Sequence, residues 1–172
     1  MISGHQLDIA TQRPSDNFNQ RPDNTAITLV VIHNISLPPG EFNNDYIEDF
    51  FTNQLKTGQH PYFETLKALK VSAHLLIKRD GSIVQFVDFN QRAWHAGQSS
   101  FNQVDNCNDY SIGIELEGTD SRAYETPQYS SLNQVLSILK SHYPITDIKG
   151  HSEIAPGRKT DPGPAFDWSK LS

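Results

Sequence analysis

A chain of 172 residues is long enough for one domain with a substantial core and too short for two ordinary ones. Lys and Arg number 14 against 20 Asp and Glu, a net charge of −6 that offers no basic face to nucleic acid or anionic lipid. Mean hydropathy is −0.54 and the longest aliphatic run, Leu29 to Ile32, falls far short of the ~20 residues a bilayer requires, while the single cysteine, Cys107, permits neither an internal disulfide nor a cysteine-ligated zinc ribbon.

Residues 1–24 are polar and aperiodic, and read as an arm wrapped over a domain that spans 1–172. They carry no basic segment followed by an apolar one and no lipidation signal, so the expected location is the cytoplasm. From Ala26 the run AITLVVIH predicts a buried central strand ending at His33. Tyr46, Ile47, Phe50, Phe51 and Leu55 then share one helical face, opened by an Asn cap and closed by Gly58. A helical turn or two is expected within residues 61–70. Two strand-like runs, from Ala73 and from Ser82, flank Arg79-Asp80-Gly81-Ser82, which predicts a tight hairpin with positive φ at both central residues.

After a polar loop, YSIGIELEG alternates Ile112, Ile114 and Leu116 with Gly113, Glu115 and Glu117, one face apolar and the other acidic. Thr126-Pro127 reads as a cap and a first-turn proline for a long helix through Tyr129, Leu132, Val135, Leu136 and Leu139 to about Tyr143. A short strand from Ile145 to Gly150 and a Gly/Pro-rich tail with a turn near Asp167 follow. The order strand, helix, hairpin, strand, helix, strand predicts an α/β (α+β) class, with a central mixed sheet flanked by helices; strand order does not follow from it.

Of seven histidines, His33 and His151 stand out, one closing a buried strand and the other opening GHSEIAPGRKTDPGP. With Asp161 they form a candidate zinc site of two imidazoles and one carboxylate, with a fourth position left for water. Spacing alone leaves open that both histidines are ordinary residues. Glu115 lies beside Gly113, which leaves room for a ligand, and suits a general base; Glu117 points the same way and is not distinguished from it. Lys159, two residues before Asp161, is a candidate for oxyanion stabilisation. His74 and His95 read as structural or pocket-lining, and Trp94 as a lid over the core or a stacking platform for a sugar.

The strings HNISLPPGEF, VSAHLLIKRDGSIVQFV, RAWHAG, CNDYSIGIELEGTD and GHSEIAPGRKTDPGPAFDW closely resemble the AmpD-type 1,6-anhydro-N-acetylmuramoyl-L-alanine amidases of peptidoglycan recycling, from about Arg21 onward. The resemblance implies the single-domain fold shared with peptidoglycan recognition proteins, and one zinc ion held by His33, His151 and Asp161. It also implies Glu115 as general base, Lys159 as transition-state stabiliser, and Asn34, Tyr62 and Trp94 near the substrate groove. Lys70 and Asn106 stand where arginines are expected, which puts contacts to peptide carboxylates there in doubt.

The implied reaction is hydrolysis of the amide between the lactyl group and L-alanine of 1,6-anhydro-N-acetylmuramoyl peptides. The implied partner is that small-molecule substrate alone, for a monomer that binds neither nucleic acid nor membrane. In a host with that circuit, loss of activity would perturb β-lactamase induction. Two other readings stand beside it: a module that binds muropeptides without cutting them, and a two-His, one-carboxylate iron site, whose acid and first His usually lie closer in sequence.

Overall fold

Two seven-residue strands, β2 (Leu29–Ile35) and β5 (Ser111–Glu117), pair in parallel along their whole length at the centre of the sheet. The computed structural model describes residues 1–172, and its main sheet adds β1 (Thr11–Gln12), β3 (Leu75–Ile77), β4 (Ile83–Gln85) and β6 (Asp147–Gly150). Strand order is β6-β2-β5-β3-β4-β1. The first four in that order are parallel, β3 and β4 form an antiparallel hairpin, and β1 joins β4 in parallel. The helices are α1 (Tyr46–Phe51), α2 (Thr126–His142) and the single turn α3 (His151–Ile154). No helix is long and apolar enough to cross a membrane.

Strand alternation divides the sheet into two unlike faces. Val30, Ile32, Ile112, Ile114 and Leu116 point to α2 and pack with its Leu132, Val135, Leu136 and Leu139 in the largest apolar cluster. Each such side chain contributes about 1.5–3 kcal/mol on full burial, so this layer anchors the domain. The opposite face carries two smaller clusters. Leu76 and Val84 pack with Ile47, Phe50, Phe51 and Phe63, and Leu29 and Val31 pack with Ala96, Cys107 and Ile154. Between them Glu115 lies beside His33 on one side and Leu76 on the other, a pair of polar side chains toward the carboxyl ends of parallel strands. Open α/β sheets characteristically bind ligands at those ends.

Several sequence expectations are corrected. β2 runs two residues past His33, because β5 continues alongside to Glu117 and Gly118 N–H donates to Ile35 O. α1 stops at Phe51 and does not reach Leu55: Asn53 adopts φ +61°, and the Gln54 and Leu55 amides both turn back to Asp49 O. In the hairpin only Gly81 has positive φ. Gly81 N–H closes a turn onto Lys78 O and Lys78 N–H bonds Ser82 O, the three-residue loop in which only the last residue is left-handed. The cap of α2 is Glu125, one residue before Thr126; its amide donates to Gln128 Oε1 at 3.0 Å, half of a capping box.

The arm is more regular than its composition suggests. Ile2–Ser3 pairs with Gln6–Leu7, Thr11–Gln12 extends the main sheet as β1, and Phe18–Gln20 pairs with Gln91–Ala93. Arg21 ends it with a largely buried guanidinium that donates to the carbonyls of Phe89, Asn108, Asp109 and Ser111. No carboxylate answers it, and burial lowers its pKa to about 10.

Candidate metal centre and active-site cleft

His33 leaves β2 on the face away from α2, and His151 follows β6, whose Gly150 lies beside Ile32. The two rings therefore meet across adjacent strands, 4.4 Å between centroids. Their Nδ1 atoms are 2.9 Å apart, and each lies 3.1 Å from the same oxygen, Asp161 Oδ2. Ligand atoms around a tetrahedral zinc at about 2.0–2.1 Å would stand some 3.3 Å apart, so this near-equilateral triangle fits one ion. The remaining ring nitrogens have partners that suit that use: His151 Nε2 lies 2.9 Å from Ala96 O, and His33 Nε2 lies 2.9 Å from His95 Nδ1. A histidine held this way offers its other nitrogen as a lone pair.

The electrostatics agree with a site that holds neutral imidazole and ionised carboxylate. Burial, against the pull of Asp161, brings His33 down to about 4. Burial alone would raise Asp161, but the close approach of the His151 and His33 rings more than reverses it and keeps the carboxyl below its ordinary range. Glu115 behaves oppositely: burial, reinforced by the Asp161 charge and only partly offset by Lys159, holds it well above the usual carboxylate value.

The two glutamates of β5 differ in occupancy. Glu117 is fully buried and its oxygens accept the amides of Asn43 and Arg79, each at 3.0 Å. Glu115 is also buried, but its Oε2 has no hydrogen-bond partner. Neither faces solvent, because β5 lies between β2 and β3 with both faces covered.

A cleft of about 250 Å³ gathers His33, His151, Asp161, Glu115 and Lys159, walled by Asn34, Trp94, Phe50 and Leu66. A wider groove of about 610 Å³ continues from it past Tyr62, Ser36, Thr119 and Asp120. Of the sequence-predicted groove residues, Trp94 and Asn34 line the inner cleft and Tyr62 the outer groove. Trp94 Nε1 donates to Asn19 Oδ1 of the arm at 2.7 Å. Asn34 Nδ2 is engaged within the protein, donating to Asp120 Oδ1 and to Pro162 O, next to Asp161. Lys70 and Asn106 lie outside the cleft: Lys70 Nζ donates to Asn53 Oδ1, and Asn106 adopts φ +59° at the start of the turn Cys107–Asp109.

Other residues at the site were not singled out from sequence. Asp120 and Tyr124 both secure the segment after Asp161, Asp120 O by accepting the Ala165 amide at 2.9 Å and Tyr124 by donating to Pro162 O at 2.7 Å. Arg158 shares Ala96 O with His151. The space beside Gly113, expected to admit a ligand, is filled by the ring of His95: a Cβ there would lie 2.4 Å from His95 Cγ. Only the glycine itself signalled a close approach, without saying by what.

Comparison with known proteins agrees with this architecture. The family model described as N-acetylmuramoyl-L-alanine amidase matches residues 23–164. The 1,6-anhydro-N-acetylmuramyl-L-alanine amidase AmpD of Citrobacter freundii is 52% identical over 164 residues, 94% of this chain and 88% of that protein. The crystal structure of a selenomethionine AmpD derivative superposes with a TM-score of 0.97 at 50% identity, covering 99% of this chain and 97% of that one. The Escherichia coli amidase AmiD, solved with anhydro-N-acetylmuramic acid-L-Ala-D-γ-Glu-L-Lys, is 28% identical with a TM-score of 0.63, over 88% of this chain and 59% of its own. The chain thus belongs to the N-acetylmuramoyl-L-alanine amidase family and stands with its AmpD-type members.

Proposed function

We propose that this chain is a zinc-dependent amidase that cleaves the lactyl to L-alanine amide of 1,6-anhydro-N-acetylmuramoyl peptides, acting in the cytoplasm during peptidoglycan recycling. The observation that carries the reading is the coincidence, in one cleft, of a three-ligand triangle and a buried carboxylate with an unpartnered oxygen. The names of the AmpD relatives, and the anhydromuropeptide bound to AmiD, support the substrate class.

His33, His151 and Asp161 would hold the zinc. Bound there, it would act as a Lewis acid toward the substrate carbonyl and make water acidic enough to attack near neutral pH. Glu115 accepts the proton of the attacking water and delivers it to the departing L-alanine nitrogen, so no proton is gained or lost over the cycle. Its raised pKa suits both steps, since a carboxylate of ordinary acidity would be a weak base and a reluctant donor at neutral pH. Lys159, on the same cleft wall, sets an ammonium near the oxygen that becomes negative. Trp94 and Tyr62 offer aromatic surface to the sugar and peptide. Asn34 also lines the cleft, while its amide group secures the chain beside Asp161.

The test is incubation of the zinc-loaded protein with an anhydromuropeptide, followed by mass spectrometry. The expected products are the free anhydro sugar acid and a stem peptide with a new L-alanine amino terminus. Binding of the intact compound without release of that amine would contradict catalysis and favour a recognition module.

A further inference from the structure

The ring nitrogens of His95 are committed at both ends. Nδ1 lies 2.9 Å from His33 Nε2, and Nε2 lies 3.2 Å from Ser111 Oγ. Ser111 in turn donates its hydroxyl hydrogen to Cys107 O at 2.6 Å. That proton is spent, so toward His95 the hydroxyl presents a lone pair, and His95 Nε2 must carry the hydrogen. A neutral imidazole protonated at Nε2 has a bare Nδ1, which accepts from His33 Nε2–H. His33 Nδ1 is then left unprotonated, with its lone pair directed at His151 and Asp161. The direction of one serine hydroxyl thereby selects the tautomer of the metal-facing histidine, two rings away.

Both ends of this chain are built in. Ser111 is fully buried at the start of β5, and the His95 and Ala96 amides both donate to Asn108 Oδ1, at 3.1 and 2.8 Å, which fixes the loop bearing the ring. Gly113 supplies the floor on which the ring lies. His151 has a simpler arrangement: its Nε2 faces Ala96 O, a carbonyl that can only accept. His33 depends instead on a side chain that could present either a donor or an acceptor, which is why Ser111 matters.

We infer that His95, oriented by Ser111, is a positioning residue that fixes the Nε2–H tautomer of His33 and so holds the metal-binding triangle ready for its ion. This rests on the zinc site proposed above. Second-sphere partners of this kind are typically worth about 10–100-fold in metal affinity.

Zinc affinity, measured by competition with a chromophoric chelator, tests it on four full-length proteins: native, His95→Phe, His95→Asn and Ser111→Ala, each with a thermal melt of the metal-free form. Phe keeps a ring but supplies no acceptor, and Asn can place its carbonyl oxygen where Nδ1 stood. The expected result is about a 10–100-fold loss for His95→Phe, substantial recovery for His95→Asn, and a smaller loss for Ser111→Ala. The visible spectrum of the cobalt-loaded forms should follow the same order. Native affinity in His95→Phe, or equal losses in His95→Phe and His95→Asn that track a lowered metal-free melting temperature, would overturn the inference in favour of simple packing. Should His95→Phe fail to fold, Ser111→Ala decides: weakened zinc binding with an unchanged melt supports the inference, and unchanged binding overturns it. Native protein that binds no zinc would instead overturn the metal site itself.

Discussion

The two faces of one sheet treat polar groups in opposite ways. Toward α2, Val30 and Ile32 of β2 and Ile112, Ile114 and Leu116 of β5 are all aliphatic, and the buried amide of Gln128 at the start of the helix is engaged, donating to Ile77 O and Glu117 O. Toward the cleft the same strands present His33, Gly113 and Glu115, with mutually close imidazole nitrogens and a carboxylate oxygen that nothing satisfies. Groups that cost stability when buried persist where chemistry needs them, and the apolar layer behind them supplies the stability that keeps them in place. Changes on the cleft face should therefore move catalysis or metal affinity, while changes on the helix face should move stability.

The largest effect is expected at Glu115. Glu115→Gln should lower amide turnover by about 10²–10⁴-fold. Glutamine keeps the side-chain shape and removes the cost of burying an ionisable carboxyl, so the metal-free variant should melt no lower than the native protein at pH 7.5. A marked drop in melting temperature would show Glu115 to be structural and erase the contrast. Its neighbour on the other face, Ile114→Ala, should lose about 2–5 kcal/mol in denaturant unfolding and still bind zinc with native affinity below its unfolding transition.

A smaller effect is expected from the ion itself. Zinc at a hundred times its dissociation constant should stabilise the native protein by about 2.7 kcal/mol, seen as a raised melting temperature, and should do little for Asp161→Asn. Gly113→Ala would push a Cβ into the His95 ring, and should cost about 1–3 kcal/mol and weaken zinc binding as well. An alanine here that leaves affinity untouched would mean that the ring's position is immaterial.

The most gradual effect is that of pH on the metal-free fold. Burial, helped by the Arg21 charge, brings His74 down to about 3, and His33 stands at about 4. Below about pH 6.5, the ordinary histidine value, the unfolded chain binds protons at both residues that the folded chain refuses. Stability from these groups is thus present above that value and is lost as pH falls toward 4 and then 3, by at most about 1.4 kcal/mol per pH unit for each proton. Glu115 runs the other way: its raised pKa makes the folded state the better proton binder above the ordinary carboxylate range, so its contribution is lost as pH rises. Urea unfolding from pH 4 to 8 should show the first trend, and Glu115→Gln should be spared the second.

What could be read from the sequence follows the range of each interaction. The apolar run of β2, the alternation of β5 and the helical period of α2 are local, and the structure contains all three. The extent of α1 was not readable, because a periodic apolar face continues past the point where Asn53 turns the chain left-handed. Choosing Glu115 over Glu117 required the family resemblance; the physical distinction is that Glu117 is consumed by two amides, from Asn43 and Arg79, remote in sequence. The same limit hid His95. RAWHAG marks an aromatic turn, but nothing local tells that its histidine meets His33, 62 residues away.

The most direct test of the account is a zinc titration of chelator-stripped protein, with stem-peptide release from an anhydromuropeptide as the readout. Turnover that rises in proportion to zinc and levels off at one ion per chain is the result predicted by His33, His151 and Asp161 acting as a single site. Full turnover by the stripped protein, or one bound zinc with no release, would contradict it.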